Sequence, residues 1–351
     1  MAAALLYVFT ASFEFRFDVR IGTRPSPLAL AQADLVAARL FIAAPGTLTS
    51  IVPLESKADQ SLEKPMAQVD FTSELDAGVI DRRLDLAVHS LKDLPPEHRW
   101  TEHLTVACHL QRASPNDVIV GVPSLDALPQ GARVGTASVR RRAQLSACRP
   151  DLEIVNVRGT VAARLARLDD GDVDALVLAR AGLDRLAVEG LTVCELPPDV
   201  MLPGPGQGIV CAVCRRDGDA LRLLRAADDA DAHVAAAAER AVLNVLDEAS
   251  SGMDGRPPIG ALMARDGEGR STWTLRALLA ARDGSSVVHV TRVAPCECSV
   301  ADAVALGRAA GEELLSSAAA HVHCAGPSRP DDGNVGRGGR GALDQNVPRY
   351  V

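Results

Sequence analysis

Residues 72–97, TSELDAGVIDRRLDLAVHSLKDLPPE, decide the fold. TSELDAGVIDRR (72–83) reads as a helix that feeds the buried strand LDLAVHS (84–90), and two prolines close the stretch. A helix running straight into an apolar strand is the second half of a βαβ unit, which implies a parallel sheet with ligands at the strands' C-terminal ends. At that end stand Ser90, Lys92 and Asp93, a hydroxyl, an ammonium and a carboxylate in close succession. On a solvated surface the two charges would cancel. At a strand end they can face a bound anion and a proton-transfer site instead. His89, on the apolar run, reads as a core histidine with a polar tip.

The rhythm extends in both directions. RFDVRI (16–21) is a strand, GTRPS a loop, Pro27–Ala43 an amphipathic helix and LTSIVPL (48–54) a further strand. ARVGTAS followed by VRRRAQLSAC, LEIVNVRG followed by TVAARLARLDDG, and VDALVLARAGLDRL repeat the pattern, and GIVCAVCRR adds a strand. From about Asp228 an Ala-rich helix opens a third unit, with strands near 271–282 and 285–293 and a helix around 301–320. The Gly/Pro/Asp/Arg-rich remainder lacks an apolar period and reads as a disordered tail. These patterns predict a first lobe at 16–112 plus 203–226, a second at 115–200, a C-terminal α/β domain at 228–323 and a tail at 324–351.

Composition narrows the function. The chain has 351 residues, 47% hydrophobic and 3% aromatic, with net charge −8. That charge excludes an overall basic field for nucleic acid, so any anion site must be local. No run approaches the ~18 apolar residues of a membrane span. The opening MAAALLYVFTAS has no basic n-region and does not read as a signal peptide. Eight scattered cysteines fit reduced thiols rather than a disulfide framework. Cys211 and Cys214 form a lone CxxC within an apparent strand, and no metal-ligand set is assigned.

Against this acidic background, arginines recur at the starts of helices and ends of strands: Arg24, Arg140, Arg141, Arg142, Arg158, Arg164 and Arg185. Most sit beside Gly, Thr or Ser, in loops that offer backbone N–H groups to an anion, while the guanidinium offers a bidentate fork. Taken singly, each could be a solvated helix arginine. Recurrence in two βα units favours a small polyanion held between two lobes. Asp93 would not help to bind such a ligand, so proton transfer is its natural task.

Taken together, Gly22-Thr23-Arg24 with Ser26, DLAVHSLKDLP, GTASVRRRAQL, RPDLEIVNVRGTVAARL, LARAGLDRL, MLPGPGQG and PPIGA resemble the porphobilinogen deaminase (hydroxymethylbilane synthase) family, in the family's order over roughly residues 18–320. The resemblance implies an α/β fold of two periplasmic-binding-protein-like lobes plus a small α/β C-terminal domain. It implies condensation of four porphobilinogen molecules into hydroxymethylbilane with loss of ammonia, on a dipyrromethane cofactor thioether-linked to a cysteine. It gives Asp93 the acid–base role. Arg24, Ser26, Lys92, Arg140, Arg141, Arg158, Arg164 and Arg185 become holders of cofactor and substrate carboxylates, with Ser90, Thr136 and Ser138 in the same loops. The family points to a monomer acting on a small pyrrole substrate, in the cytoplasm or alternatively a plastid.

Three departures stand out. Where the family carries its attachment cysteine, counting back from Pro258-Ile259-Gly260 places Gly255, and no cysteine lies between Cys214 and Cys296. A glycine has no nucleophile, so covalent attachment is not expected here. The glycine-lysine loop is shortened in AQVDFTSELDAG, and Ser73 stands at a second lysine position. Thr160 replaces the usual Asn after Arg158-Gly159. Divergence and misplaced exon edges both account for the first two losses. The competing reading is an impaired or inactive paralogue that keeps a polycarboxylate-binding cleft.

Overall fold

A computed structural model describes residues 18–55, 72–97, 100–250, 256–265 and 272–324. Gly255, the start of the expected first strand, and the expected tail beyond residue 324 lie outside the described residues.

The first sheet starts with β1 (Asp18–Thr23), which turns Val19 and Ile21 toward α1 (Pro27–Ala43). Ser26 caps this helix by accepting from the Ala29 N–H, and Pro27 takes the first helical position, where its missing N–H has no partner to lose. β2 (Leu48–Pro53) lies parallel to β1 on its outer side. α2 (Ser73–Ile80) leads into β3 (Leu86–Ser90), parallel to β1 on the other side. A single 3₁₀ turn, Leu91–Asp93, follows before β4 (Leu104–His109).

The chain then crosses to a second sheet built from β5 (Asp117–Val120), β6 (Arg133–Gly135), α3 (Val139–Cys148), β7 (Glu153–Val155), α4 (Val161–Asp169), β8 (Ala175–Ala179), α5 (Arg180–Arg185) and β9 (Val193–Leu196). It returns through residues 197–209 to β10 (Val210–Arg215), which inserts between β3 and β4. The strand orders β2-β1-β3-β10-β4 and β7-β6-β8-β5-β9 follow one plan. In each, three parallel strands are joined by an antiparallel one that has just crossed from the other lobe. The expected parallel sheet is therefore corrected to two mixed sheets. β4, β5 and β9 were not anticipated, because short strands on either side of a crossing carry no βα signal.

Side-chain alternation shows how the first sheet is packed. Val210, Ala212 and Cys214 join the layer under α1 and α6 (Ala220–Ala227), while Cys211 and Val213 join the layer containing Leu75, Leu91 and Leu104. Cys211 and Cys214 thus point to opposite faces, as a three-residue step along a strand requires. Their CxxC spacing cannot bring both thiols to one ion.

The third unit consists of α7 (Ala230–Ala249), the antiparallel sheet of β11 (Ile259–Arg265), β12 (Thr272–Ala280) and β13 (Val287–Pro295), and α8 (Val300–Cys324). At Gly307 a Cβ would stand 2.2 Å from the Ala238 carbonyl oxygen, so α8 reaches its contact with α7 through a residue without one. The other face of this sheet packs Leu262 and Leu278 against Ala143 of α3 and Leu202 of the return crossing.

Glu239 of α7, fully buried, ties the crossings together. Its Oε1 accepts from Arg112 at 2.5 Å and from the Met263 N–H at 2.7 Å. Its Oε2 accepts from Arg112 at 3.1 Å and from the Gly206 N–H at 2.7 Å. One carboxylate with four donors, one side-chain cation among its partners, satisfies the condition under which a buried charge is tolerated. It fixes the outgoing crossing, the return crossing and β11 relative to one another.

Candidate functional site

The ends of β1 and β3 in the first lobe, and the loops after β6, β7 and β8 in the second, carry the residues singled out from the sequence. Ser26 is spent as the α1 cap. Ser90 ends β3, and its Oγ accepts from Gln32 Nε2 at 2.8 Å. Lys92 and Asp93 lie in the 3₁₀ turn that follows, Lys92 half-buried and Asp93 exposed. Lys92 Nζ donates to Gln207 Oε1 at 3.3 Å. Burial pushes the Lys92 ammonium down to about 8. The Arg141 and Arg140 guanidiniums act in the same direction, and the Asp93 and Asp117 carboxylates oppose them. First-lobe Lys92 therefore feels the arginines of the second lobe directly.

Those arginines arise from helix starts. Ser138 caps α3, its Oγ accepting from the Arg141 N–H at 3.4 Å, and Thr136 Oγ1 accepts from the Ser138 N–H at 3.2 Å. The cap sets Arg140 and Arg141 in the first helical turn, where both are buried. Arg141 donates from Nε and Nη2 to Asp117 Oδ1, at 3.1 and 2.8 Å, and from Nη1 to the Val177 carbonyl at 2.8 Å. Arg140 Nη1 lies 2.7 Å from Asp117 Oδ2 and donates to the Leu202 carbonyl at 2.8 Å. Burial would raise the Asp117 carboxyl, yet the Arg140 and Arg141 guanidiniums hold it well below the usual carboxylate range.

The sequence reading gave Arg140 and Arg141 carboxylates of cofactor and substrate. The carboxylate they hold in this structure is the chain's own Asp117. Gln207 completes this centre, donating from Nε2 to Asp117 Oδ1 and to the Pro115 carbonyl, both at 2.8 Å. Lys92, Gln207, Asp117 and the two arginines form one chain of contacts that runs from the first lobe through both crossings into the second.

The remaining arginines lie in other loops and helices. Arg158 and Arg24 are half-buried in the loops after β7 and β1. Arg164 of α4 donates from Nε to the Gly159 carbonyl at 2.8 Å, and Thr160 caps that helix by accepting from the Ala163 N–H at 3.2 Å. The Asn-to-Thr departure thus keeps a competent cap. Burial lowers Arg164 to about 10. Arg141 and Arg158 push the same way, and Asp93 opposes them across the space between the lobes. Arg185, at the end of α5, donates from Nη2 to the Gly208 carbonyl at 2.6 Å, and burial lowers it as well. Gly208 has φ +90°, and a Cβ there would meet the Ala113 carbonyl oxygen at 2.5 Å, which explains a glycine where the two crossings touch.

Sequence reasoning missed Asp117, Gln207, Arg112 and Glu239. Gln207 lay within MLPGPGQG, but nothing in a lone Asp or Glu announces a partner about a hundred residues away. His89 is buried, as expected, with Nε2 3.9 Å from Asp76 Oδ1. Ser73, at a family lysine position, donates from Oγ to its neighbour Glu74.

The carboxylate-binding part of a dipyrromethane site fits this arrangement: cations from both lobes, partly desolvated, converge beside one exposed carboxylate. The attachment position, Gly255, lies outside the described residues. Among the described thiols, burial pushes Cys108 up to about 12, Cys214 to about 11 and Cys211 higher still. None of these three is a poised thiolate.

The family model described as porphobilinogen deaminase, dipyromethane cofactor binding domain, matches residues 19–222, a span that takes in nearly all of both five-stranded sheets. Similar solved structures include an ancestral cationic amino acid solute binding protein, 13% identical over 60% of this chain and 88% of that one, with TM-score 0.41. A methionine binding protein is 13% identical over 60% and 89%, with TM-score 0.38. A Salmonella typhimurium periplasmic binding protein with high arginine specificity is 14% identical over 60% and 91%, with TM-score 0.36. At such scores the fold rests on strand order, not on these likenesses.

Proposed function

Because the chain belongs to the porphobilinogen deaminase family, we propose that it is a hydroxymethylbilane synthase-type transferase, joining four porphobilinogen molecules with release of ammonia. We take the lobes to be 16–112 with 203–226 and 115–200, and the third domain to be 228–323. One observation carries the reading. Lys92 and Asp93 stand in one turn of the first lobe, and Lys92 reaches Gln207, which holds Asp117 together with Arg140 and Arg141 of the second. A polycarboxylate placed between the lobes meets cations from both and a single exposed carboxylate.

In this reading Arg24, Arg158, Arg164 and Arg185 bind the acetate and propionate groups of the pyrroles, by forked charge-assisted hydrogen bonds. Arg140 and Arg141 position the wall through Asp117. Ser90, Thr136 and Ser138 shape the loops. Asp93 accepts the pyrrole N–H and carries the proton to and from the departing amine. Dipyrromethane, when bound, supplies the pyrrole carbon on which the chain grows. A monomer in the cytoplasm or a plastid fits this role, and no helix among the described residues is long and apolar enough to cross a membrane.

Gly255 favours a second reading, an impaired relative that retains the cleft. The test is incubation of the purified protein with porphobilinogen while ammonia and hydroxymethylbilane are measured. Turnover supports the first reading. Saturable porphobilinogen binding without ammonia supports the second, and absence of both refutes the cleft itself.

Lys92 makes the binding pH-dependent. Its ammonium is charged below about 8 and neutral above it. Porphobilinogen affinity should therefore fall as pH rises through that value, and in Lys92→Gln the fall should be absent. Equal slopes in parent and variant, from fluorescence or calorimetric titration between pH 7 and 9 (a window about one unit either side), would remove Lys92 from the binding set.

A further inference from the structure

The sequence reading assigned no metal ligands and the proposed reaction uses none, yet the junction between the first lobe and α7 gathers a donor set that neither explains. His109 is the last residue of β4, Asp228 lies between α6 and α7, and His233 is in the first turns of α7. We propose that His109, Asp228 and His233 bind one divalent transition-metal ion of the zinc class, clamping the first lobe to the third unit.

The geometry carries the proposal. His109 Nδ1 stands 3.0 Å from Asp228 Oδ1, and His233 Nδ1 stands 2.7 Å from Asp228 Oδ2. The two rings stack with centroids 4.6 Å apart and planes 29° apart. One ligand atom from each of the three residues lies within 4.8 Å of the others. Ligands on a tetrahedral zinc, each about 2.0–2.2 Å from the metal, stand roughly 3.3 Å from one another. Binding would draw the three ligand atoms from within 4.8 Å of one another to that spacing, with each imidazole keeping its proton on Nε2.

The backbone preorganises two of the ligands. The His109 N–H donates to Asp228 Oδ1 at 2.6 Å, and the Asp229 N–H donates to the His109 carbonyl at 2.9 Å. The cluster is closed on one side and open on the other: the side chains of His109 and Asp228 are 6% and 17% exposed, and that of His233 is 38% exposed. Three protein ligands with a solvent-facing fourth position suit a zinc-class ion, and two imidazoles disfavour magnesium or calcium. An ion here would bridge the end of β4, where the outgoing crossing begins, to the helix that carries Glu239.

The test uses the full chain, stripped by chelator and titrated with Co²⁺ under visible spectroscopy, then with Zn²⁺ during thermal unfolding. Expected are one equivalent of cobalt with nitrogen–oxygen ligand-field bands and no thiolate charge-transfer band, and a Zn²⁺-dependent rise in Tm. His233→Ala, a partly exposed change whose metal-free melting verifies folding, should weaken cobalt affinity at least about tenfold and abolish the Tm rise. No stoichiometric uptake, a thiolate signature, or unchanged affinity in His233→Ala overturns the proposal and leaves a hydrogen-bonded His–Asp–His cluster. Porphobilinogen plays no part in these readouts, so they stand apart from the catalytic reading.

Discussion

Asp93→Asn is expected to lower porphobilinogen turnover by about 10²–10⁴-fold, roughly 3–5 kcal/mol of barrier, while leaving the fold intact. Asp93 is exposed, in a short turn, and bears no part of either hydrophobic layer of the first sheet. Asparagine keeps its size and its acceptor oxygen but can neither take nor return a proton. The loss should therefore fall on kcat rather than on porphobilinogen binding, which the arginines supply. Circular dichroism and urea midpoints matching the parent would confirm that only chemistry was removed. If the Asn variant turns over at a near-normal rate, Asp93 is not the acid–base group.

The second large effect concerns the primer. Intact-protein mass spectrometry is expected to find the bare polypeptide, because Gly255 offers no sulfur and the buried thiols of Cys108, Cys211 and Cys214 are held protonated. A tethered acceptor can contribute about 7–11 kcal/mol through proximity in well-oriented systems. Without it, elongation should be very slow even with an intact arginine cleft. An adduct of dipyrromethane size would sink this expectation and direct attention to exposed Cys296. Gly255→Cys should restore attachment only in part while Ser73 and the shortened loop remain. Full activity from that single change would show that the missing lysines matter little.

The local units were readable because their signals are local. Helix α1 starts at Pro27 behind a serine cap, and α3 runs over VRRRAQLSAC, with bounds equal to those expected. Such boundaries follow from capping and periodicity within a few residues. The direction of β10 was not readable, since Val-Cys-Ala-Val-Cys is equally apolar whichever way it runs. The site divides in the same manner. Arginines beside Gly, Ser and Thr marked the loops; of these, Arg140 and Arg141 act on Lys92, and Arg164 on Asp93, across the lobes. That Arg140 and Arg141 would spend their forks on Asp117 depends on the antiparallel pairing of β5 with β8, which no stretch of sequence states. The His109–Asp228–His233 cluster was hidden for the same reason: over a hundred residues separate its first ligand from the others.

A ribosome delivers residues in order, and the insertion of β10 sets that order against the architecture. The second lobe's strands are contiguous from Asp117 to Leu196. All of them can pair before the first lobe's sheet is complete. In the first sheet β4 is an edge strand whose neighbour is β10, residues 210–215, so β4 has nothing to pair with until those residues emerge. The lobe made first is thus the lobe finished last. It waits with the edge of β3 uncovered, the condition in which nascent chains pair with one another rather than with themselves. The turn that carries Lys92 and Asp93 follows directly on β3, and its Leu91 N–H is tied to the Ile209 carbonyl just ahead of β10.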